Sequence, residues 1–320
     1  MDKPYVVGID IGGQTTKIGI VDARGTVLTQ TTVRTDTHPD VKDFIEDMSK
    51  ALNQLLIEVG GIEKIRGIGI GAPNGNYYTG TVENAVNIVW GGSKVIPLAK
   101  LVAEKMGVPV ALTNDANAAA VGEMTYGAAR GMKNFIMITL GTGVGSGIVI
   151  NGEVVYGHDG FAGELGHTTI VRNNGRQCNC GRSGCLETYA SAIGVARTAR
   201  EWLESSGEPS ALRDISHPIT SKDVFEAASR GDRMAIRIFD FTGKKLGEAF
   251  ADFVAFSAPE TIVLFGGLAR SGDLLLKPVE DAMNANLLHL WKNKIKIIFS
   301  QLKESDAAIL GASALAWELK

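Results

Sequence analysis

Tyr5-Val6-Val7-Gly8-Ile9-Asp10, Ile11-Gly12-Gly13-Gln14-Thr15-Thr16 and Lys17-Ile18-Gly19-Ile20-Val21-Asp22 follow one another as apolar run, glycine turn and apolar run. Runs this close, with glycine between them, predict an antiparallel hairpin. A third strand is expected after Arg24-Gly25, from about Thr26 to Arg34. The same plan returns in the second half of the chain. Phe135 to Leu140 reads as a strand, Gly141-Thr142-Gly143-Val144-Gly145-Ser146-Gly147 as its turn, and Ile148-Val149-Ile150 as the return. Asn151-Gly152 then turns the chain into Glu153 to Tyr156. Two units of one plan, too far apart for a solenoid, predict a duplicated α/β domain.

The rest of each half supplies helices and parallel-type strands. Val41, Phe44, Ile45, Met48, Leu52, Leu55, Leu56 and Val59 recur at helical spacing after Asp40, and Gly60-Gly61 ends the run. Strands are expected at Gly67 to Gly71 and Val108 to Thr113, with a helix from about Leu98 to Met106 between them. Later segments read mainly as helices: one capped by Ser221, a long one from Asp232 to about Phe256, and a last one from about Ala307 to Glu318. Thr261 to Phe265 leads as a buried strand into Gly266-Gly267, and another strand falls near Ile295 to Phe299. Ser205 to Ser216, polar and broken by Gly207 and Pro209, reads as a surface loop.

Composition narrows the class. With 320 residues, two domains are expected. Thirty-two Lys and Arg against 35 Asp and Glu leave a formal charge of −3 and no long basic run, which speaks against a nucleic-acid partner. Val6 to Ile9 is too short for a secretion signal, and no apolar run approaches the ~18 residues of a membrane span. A cytoplasmic protein without a membrane partner is expected.

Asp10, Gly12, Gly13 and Lys17 put a carboxylate, bare amides and an ammonium near one turn. Consecutive N–H groups make an anion-binding concavity, and a carboxylate at a strand end suits Mg²⁺ held partly by phosphates. Singly, such a turn reads as a plain hairpin. The sequence matches neither the P-loop pattern nor the dinucleotide fingerprint. Together with Gly141 to Gly145 and with Gly266-Gly267, it suggests one nucleotide clasped between two domains.

Every cysteine lies in Cys178-Asn179-Cys180-Gly181-Arg182-Ser183-Gly184-Cys185, and His167 precedes them. Three thiols and an imidazole suit a tetrahedral Cys3His zinc site. The Cys-x-Cys spacing is less usual than Cys-x-x-Cys; a metal-free thiol cluster or a redox switch are the other readings. Four ligands close the shell, so the role of the zinc would be structural. It would pin the loop bearing Glu164 and Glu187.

Asn114-Asp115 stand between a strand and an Ala-rich helix. Asp115 is there either the helix N-cap or a carboxylate offered to substrate. Asn87, Glu164 and Glu187 read singly as solvated residues, yet a ring of sugar hydroxyls needs several such planar partners. Trp90 reads as core.

These stretches resemble the ROK group (repressors, open reading frames, kinases), and its glucokinases most. Asp10-Ile-Gly12-Gly13-Gln14-Thr-Thr-Lys17 is similar to its first phosphate motif, Asn114-Asp115-Ala-Asn117 to its catalytic segment, and Leu140 to Gly145 to its second phosphate loop. Glu164-Leu-Gly166-His167 with Cys178-x-Cys180-Gly-x-x-Gly184-Cys185-Leu-Glu187 is similar to its sugar and zinc signature. The resemblance implies an α/β, actin-like or hexokinase-type (ribonuclease H-like) fold, two duplicated domains around a cleft that closes on substrate. The expected division is 1–118, completed by a C-terminal helix at 305–320, and a larger domain at 119–304 carrying the zinc loop.

By the same resemblance, Asp115 would be the base of an ATP- and Mg²⁺-dependent hexose kinase. Asn87, Asn114, Asp115, Glu164, His167 and Glu187 would bind the sugar. Asp10, Gly12, Gly13, Thr15, Thr16, Lys17, Gly141, Thr142, Gly143, Gly266 and Gly267 would serve ATP, and His167, Cys178, Cys180 and Cys185 would bind zinc. Glucose is the expected substrate; N-acetylglucosamine, N-acetylmannosamine, fructose and allose are the alternatives. A homodimer or homotetramer is expected.

Two departures stand out. Gln14 replaces the usual Thr, so its phosphate contact is expected to pass to Thr15 or Thr16. Gly71-Ala72-Pro73-Asn74-Gly75 lacks the usual Gly-Pro ending of the sugar-side loop. A sugar-responsive ROK regulator without a DNA-binding domain is the less favoured alternative: the repressors of the group carry a helix-turn-helix ahead of the kinase-like body, and with a first strand at about Tyr5 none is expected here. An actin-like filament protein or ATPase would have no use for the zinc loop and its carboxylates.

Overall fold

A computed structural model describes residues 3–319. In chain order, β1 (Tyr5–Ile11), β2 (Thr15–Asp22) and β3 (Val27–Arg34) lead to α1 (Val41–Val59) and β4 (Ile65–Gly71). Short strands β5 (Gly75–Asn76), β6 (Thr81–Glu83) and β7 (Val95–Ile96) precede α2 (Leu98–Met106), β8 (Val110–Thr113) and α3 (Asp115–Tyr126). The second half runs β9 (Phe135–Leu140), β10 (Val144–Ile150), β11 (Glu153–Val154), α4 (Glu187–Ala190), α5 (Ala192–Ser205), α6 (Ser221–Ser229) and α7 (Arg233–Ser257). It ends with β12 (Thr261–Phe265), α8 (Asp273–Asn286), β13 (Lys296–Phe299) and α9 (Glu304–Ala316). No described helix is long and apolar enough to cross a membrane.

The duplication is plain in the sheets. One five-stranded sheet has the order β3-β2-β1-β4-β8 and another β11-β10-β9-β12-β13, the same path traced twice, while β5, β6 and β7 form a small third sheet. In the first, β1, β2 and β3 pair antiparallel, while β4 joins β1 and β8 joins β4 in parallel. In the second, β10 and β11 pair antiparallel, and β12 lies parallel to both β9 and β13. Two compact units result: residues up to Met132 with Gly147–Gly163 and the chain from Ser300 onward, and Lys133–Ser146 with Glu164–Phe299.

In the first unit, Ile9, Ile11, Ile18 and Ile20 meet Phe44, Met48 and Leu52 of α1 in one core. Trp90 is fully buried there and stacks on Phe44 with ring centres 5.2 Å apart. α1 starts as its periodicity predicts: Asp40 accepts a hydrogen bond from the Lys42 N–H, and left-handed Gly60 ends the helix. Ile309 and Leu310 of α9 form a second cluster with Val6 and Val21 of the sheet. α9 also approaches β4 closely, since a Cβ on Gly69 would lie 1.8 Å from the Ala312 carbonyl oxygen. In the second unit, Ile138 and Leu264 of the sheet pack with Phe239, Leu246 and Phe250 of α7 and with Val279 and Met283 of α8.

Three local expectations are corrected. Thr220, rather than Ser221, caps α6, through a reciprocal capping box with Asp223. The last helix begins at Glu304 and ends at Ala316. The loop after Ser205 holds a 3-10 turn at Ala211–Asp214.

Candidate active site

The first unit gathers two carboxylates where β1, β4 and α3 end or begin. Asn114 settles which residue caps α3: its side-chain oxygen accepts from the N–H groups of Ala116 at 2.8 Å and Asn117 at 3.4 Å. Asp115 is thereby released from capping, and its carboxylate accepts from the Ala116 N–H at 2.9 Å. A Cβ on Gly71, at the end of β4, would sit 3.6 Å from Asp115 Cα and 3.8 Å from Asp10 Oδ1, so both acids flank one bare strand end. Asp10 and Lys17 are cross-strand partners.

Desolvation raises the Asp115 carboxyl above the usual carboxylate range, against the lowering effect of the Ala116 and Asp115 N–H groups. Asp10 is pushed up to about 6, chiefly by burial, then by the Asp115 charge, with Lys17 pulling the other way. The folded state therefore holds this proton more tightly than an unfolded chain would. Its stabilising effect is present below the ordinary value of 3.8 and is lost as pH rises through about 6. Asp10→Asn is expected to stabilise the ligand-free protein by about 1–3 kcal/mol near pH 8 and to have little effect near pH 4. Thermal unfolding at both pH values checks this; equal melting of variant and wild type near pH 8 would contradict it.

The phosphate turn is drawn tight, with the Gly12 N–H donating to the Thr15 carbonyl at 2.9 Å. Thr15 is exposed beside it. Thr16 is not brought to the turn surface: it is fully buried, its hydroxyl 2.8 Å from that of Thr35. Asn87 is exposed on a loop whose backbone presses on the turn, for a Cβ on Gly13 would lie 2.6 Å from the Asn87 carbonyl oxygen.

The second unit gathers the remaining residues. The turn after β9 closes with the Gly141 N–H on the Gly143 carbonyl at 3.1 Å, leaving Thr142 exposed. Open space surrounds the Cβ positions of Gly141 and Gly267, where a ligand could approach the backbone. Gly266 takes φ 103° and passes the Leu140 carbonyl too closely for any side chain. Glu187, first residue of α4, lies over the same turn: a Cβ on Gly143 would meet its Oε2 at 2.6 Å, and the Val144 N–H donates to that oxygen at 3.4 Å.

His167, Cys178, Cys180 and Cys185 converge, with all donor atoms within 4.8 Å of one another. Cys180 and Cys185 sulfurs are 3.6 Å apart, and Cys178 Sγ is 3.7 Å from His167 Nδ1. Bonds of about 2.0–2.3 Å to a tetrahedral zinc imply ligand separations of about 3.3–3.8 Å, which these pairs match. The imidazole turns its other nitrogen outward, with Nε2 4.0 Å from Glu164 Oε2. Glu187 Oε1 lies 3.2 Å from Cys178 Sγ, so the acid sits against the cluster.

Arg176 supports this half without any motif to announce it. Its buried guanidinium donates to the Thr188 carbonyl and the Thr198 hydroxyl, both at 2.9 Å, pairs with Glu201 and lies over the Tyr189 ring. It thus ties the cysteine loop to α4 and α5. An arginine next to cysteines reads in sequence as a surface charge; only its burial reveals the role.

Two ribonuclease H-like sheets of identical order in one chain, each with a glycine turn beside carboxylates, define the actin-like, hexokinase type of fold. The chain belongs to the ROK family, whose pattern matches residues 6–318. A glucokinase of Halalkalibacterium halodurans is 38% identical over 98% of this chain and 96% of its own length. A glucokinase of Thermotoga maritima is 34% identical over 99% of both chains. Among solved structures, a ROK family glucokinase from Streptomyces griseus in complex with glucose and AMPPNP superposes with a TM-score of 0.80 and 32% identity, covering 98% of this chain and 99% of that one.

Proposed function

We propose that this chain is an ATP-dependent hexose kinase that transfers the γ-phosphoryl group of Mg-ATP to a hydroxyl of glucose. The observation that carries the proposal is Asp115, released from capping by Asn114 and set beside Asp10 in a chain similar over its whole length to glucokinases. Phosphoryl transfer asks a protein mainly for positioning and charge stabilisation. Asp115 would take the proton of the attacking hydroxyl, and its raised proton affinity suits that task. Asp10 would orient Mg²⁺, which neutralises charge on the phosphates when bound. Gly12, Gly13, Thr15 and Lys17 would serve ATP, as would Gly141 to Gly143, Gly266 and Gly267.

Asn87, Asn114, Glu164, His167 and Glu187 would bind the sugar, Asn114 through the amide group that its capping leaves available. Zinc on His167 Nδ1 and the three cysteines would fix that imidazole, supply no open coordination position and keep Glu164 and Glu187 in place. The enzyme as proposed works in the cytoplasm as a homodimer or homotetramer. Release of ADP from Mg-ATP in the presence of glucose, and its absence without sugar, tests the reading; no sugar-dependent ADP would overturn it.

A further inference from the structure

The loop Gly71-Ala72-Pro73-Asn74-Gly75 holds Asn74 at φ 52°. That is left-handed backbone, which glycine adopts freely and asparagine tolerates better than most residues. The conformation is thus compatible with a side chain, and the side chain is engaged. Asn74 Nδ2 donates to the Glu83 carbonyl at 2.9 Å and to the Asn84 carbonyl at 3.2 Å. The Glu83 N–H returns to the Asn74 carbonyl at 3.1 Å. Three hydrogen bonds clamp the chain where β6 ends at Glu83.

Beyond that clamp, residues 84–94 lie outside any strand until β7 begins at Val95. Tight turns shape the segment, with the Ile88 N–H on the Ala85 carbonyl and the Gly91 N–H on the Ile88 carbonyl, each at 3.0 Å. Trp90 anchors it in the core, while Asn87 stays exposed with its carbonyl against Gly13. One end of the segment is therefore set by Asn74 and its middle abuts the phosphate turn.

We propose that Asn74 is a positioning residue for the sugar: its Nδ2 clamp on residues 83 and 84 fixes where Asn87 presents its side chain and holds that loop against Gly13. The inference rests on the hexose-kinase reading and deepens it. Asn74→Gly keeps the left-handed backbone and removes the clamp. Asn74→Asp keeps the shape and points an acceptor at two carbonyls, so both variants should behave alike even if one folds less well.

Two readouts decide the matter. In ligand-free protein, hydrogen exchange at amides 84–91 should quicken by about tenfold or more in both variants, with residues 141–187 unchanged. In steady-state kinetics, loss of two hydrogen bonds at the clamp should raise the glucose KM about tenfold and the ATP KM by less, with kcat little changed. Unaltered exchange, or a raised exchange with an unaltered glucose KM, overturns the inference while leaving the kinase reading intact. A wild-type enzyme inactive on every sugar overturns the kinase reading and with it any role of Asn74 toward sugar.

Discussion

Asp115→Asn is expected to lower turnover by at least ~10²-fold, the usual loss for a general base, with glucose affinity largely kept. The substitution is close to isosteric, and an amide accepts no proton. It leaves α3 intact, because the oxygen that caps the helix belongs to Asn114. Loss of activity through misfolding is thereby separable from loss of the base: the variant should melt near the wild type and bind glucose in calorimetry. The raised proton affinity of Asp115 adds a second signature, since the acid limb of the wild-type pH–rate profile should lie above the ordinary carboxylate range. Near-normal turnover in the variant would remove Asp115 from the mechanism.

Loss of the metal is the second large effect expected. One zinc per chain should be found by elemental analysis, and Cys185→Ser should lose it. Cys185 is fully buried, and its neighbours Thr168 and Leu186 are joined by a backbone hydrogen bond of 2.9 Å, so the loosened segment is the one leading directly to Glu187. Misplacing a substrate-holding group by about 1 Å can cost ~10²-fold in rate, and a loss of at least that size in kcat/KM is expected. The damage should stay local. The first unit has its own core around β1 and α1, and structural zinc sites drive the folding of the segment they close. A zinc-free protein with full activity would contradict a supporting role for the metal.

Much of this architecture is legible in sequence because its signals are periodic. The run from Val41 to Val59 shows one apolar face, and the paired glycine-turn hairpins announce the duplication that both sheet orders display. Thr16 shares a face with Ile18 and Ile20, so the two-residue period of a strand already separates it from exposed Thr15. Segments without period are not legible. β5 and β7 have two residues each, too few for alternation to register, and α8 carries Pro278, which argues against a helix interior.

The site divides in the same way. The spacing of three cysteines and a histidine suffices to predict that their donors meet, because glycines at 181 and 184 take positive φ and fold the loop on itself. Asn114 and Asp115 are adjacent acceptors at one helix start, and sequence alone cannot tell which of them caps. Asn74 binds carbonyls nine and ten residues farther along, and Arg176 reaches α5; both depend on tertiary placement that no local pattern encodes.

The most direct test is a coupled assay of ADP release from Mg-ATP against glucose, N-acetylglucosamine, N-acetylmannosamine, fructose and allose, each over a range of concentrations. A kcat/KM for glucose well above the others is the result expected of a ROK glucokinase. Preference for an N-acetyl sugar would contradict glucose as the substrate, and ADP release with none of the five would contradict a hexose kinase altogether.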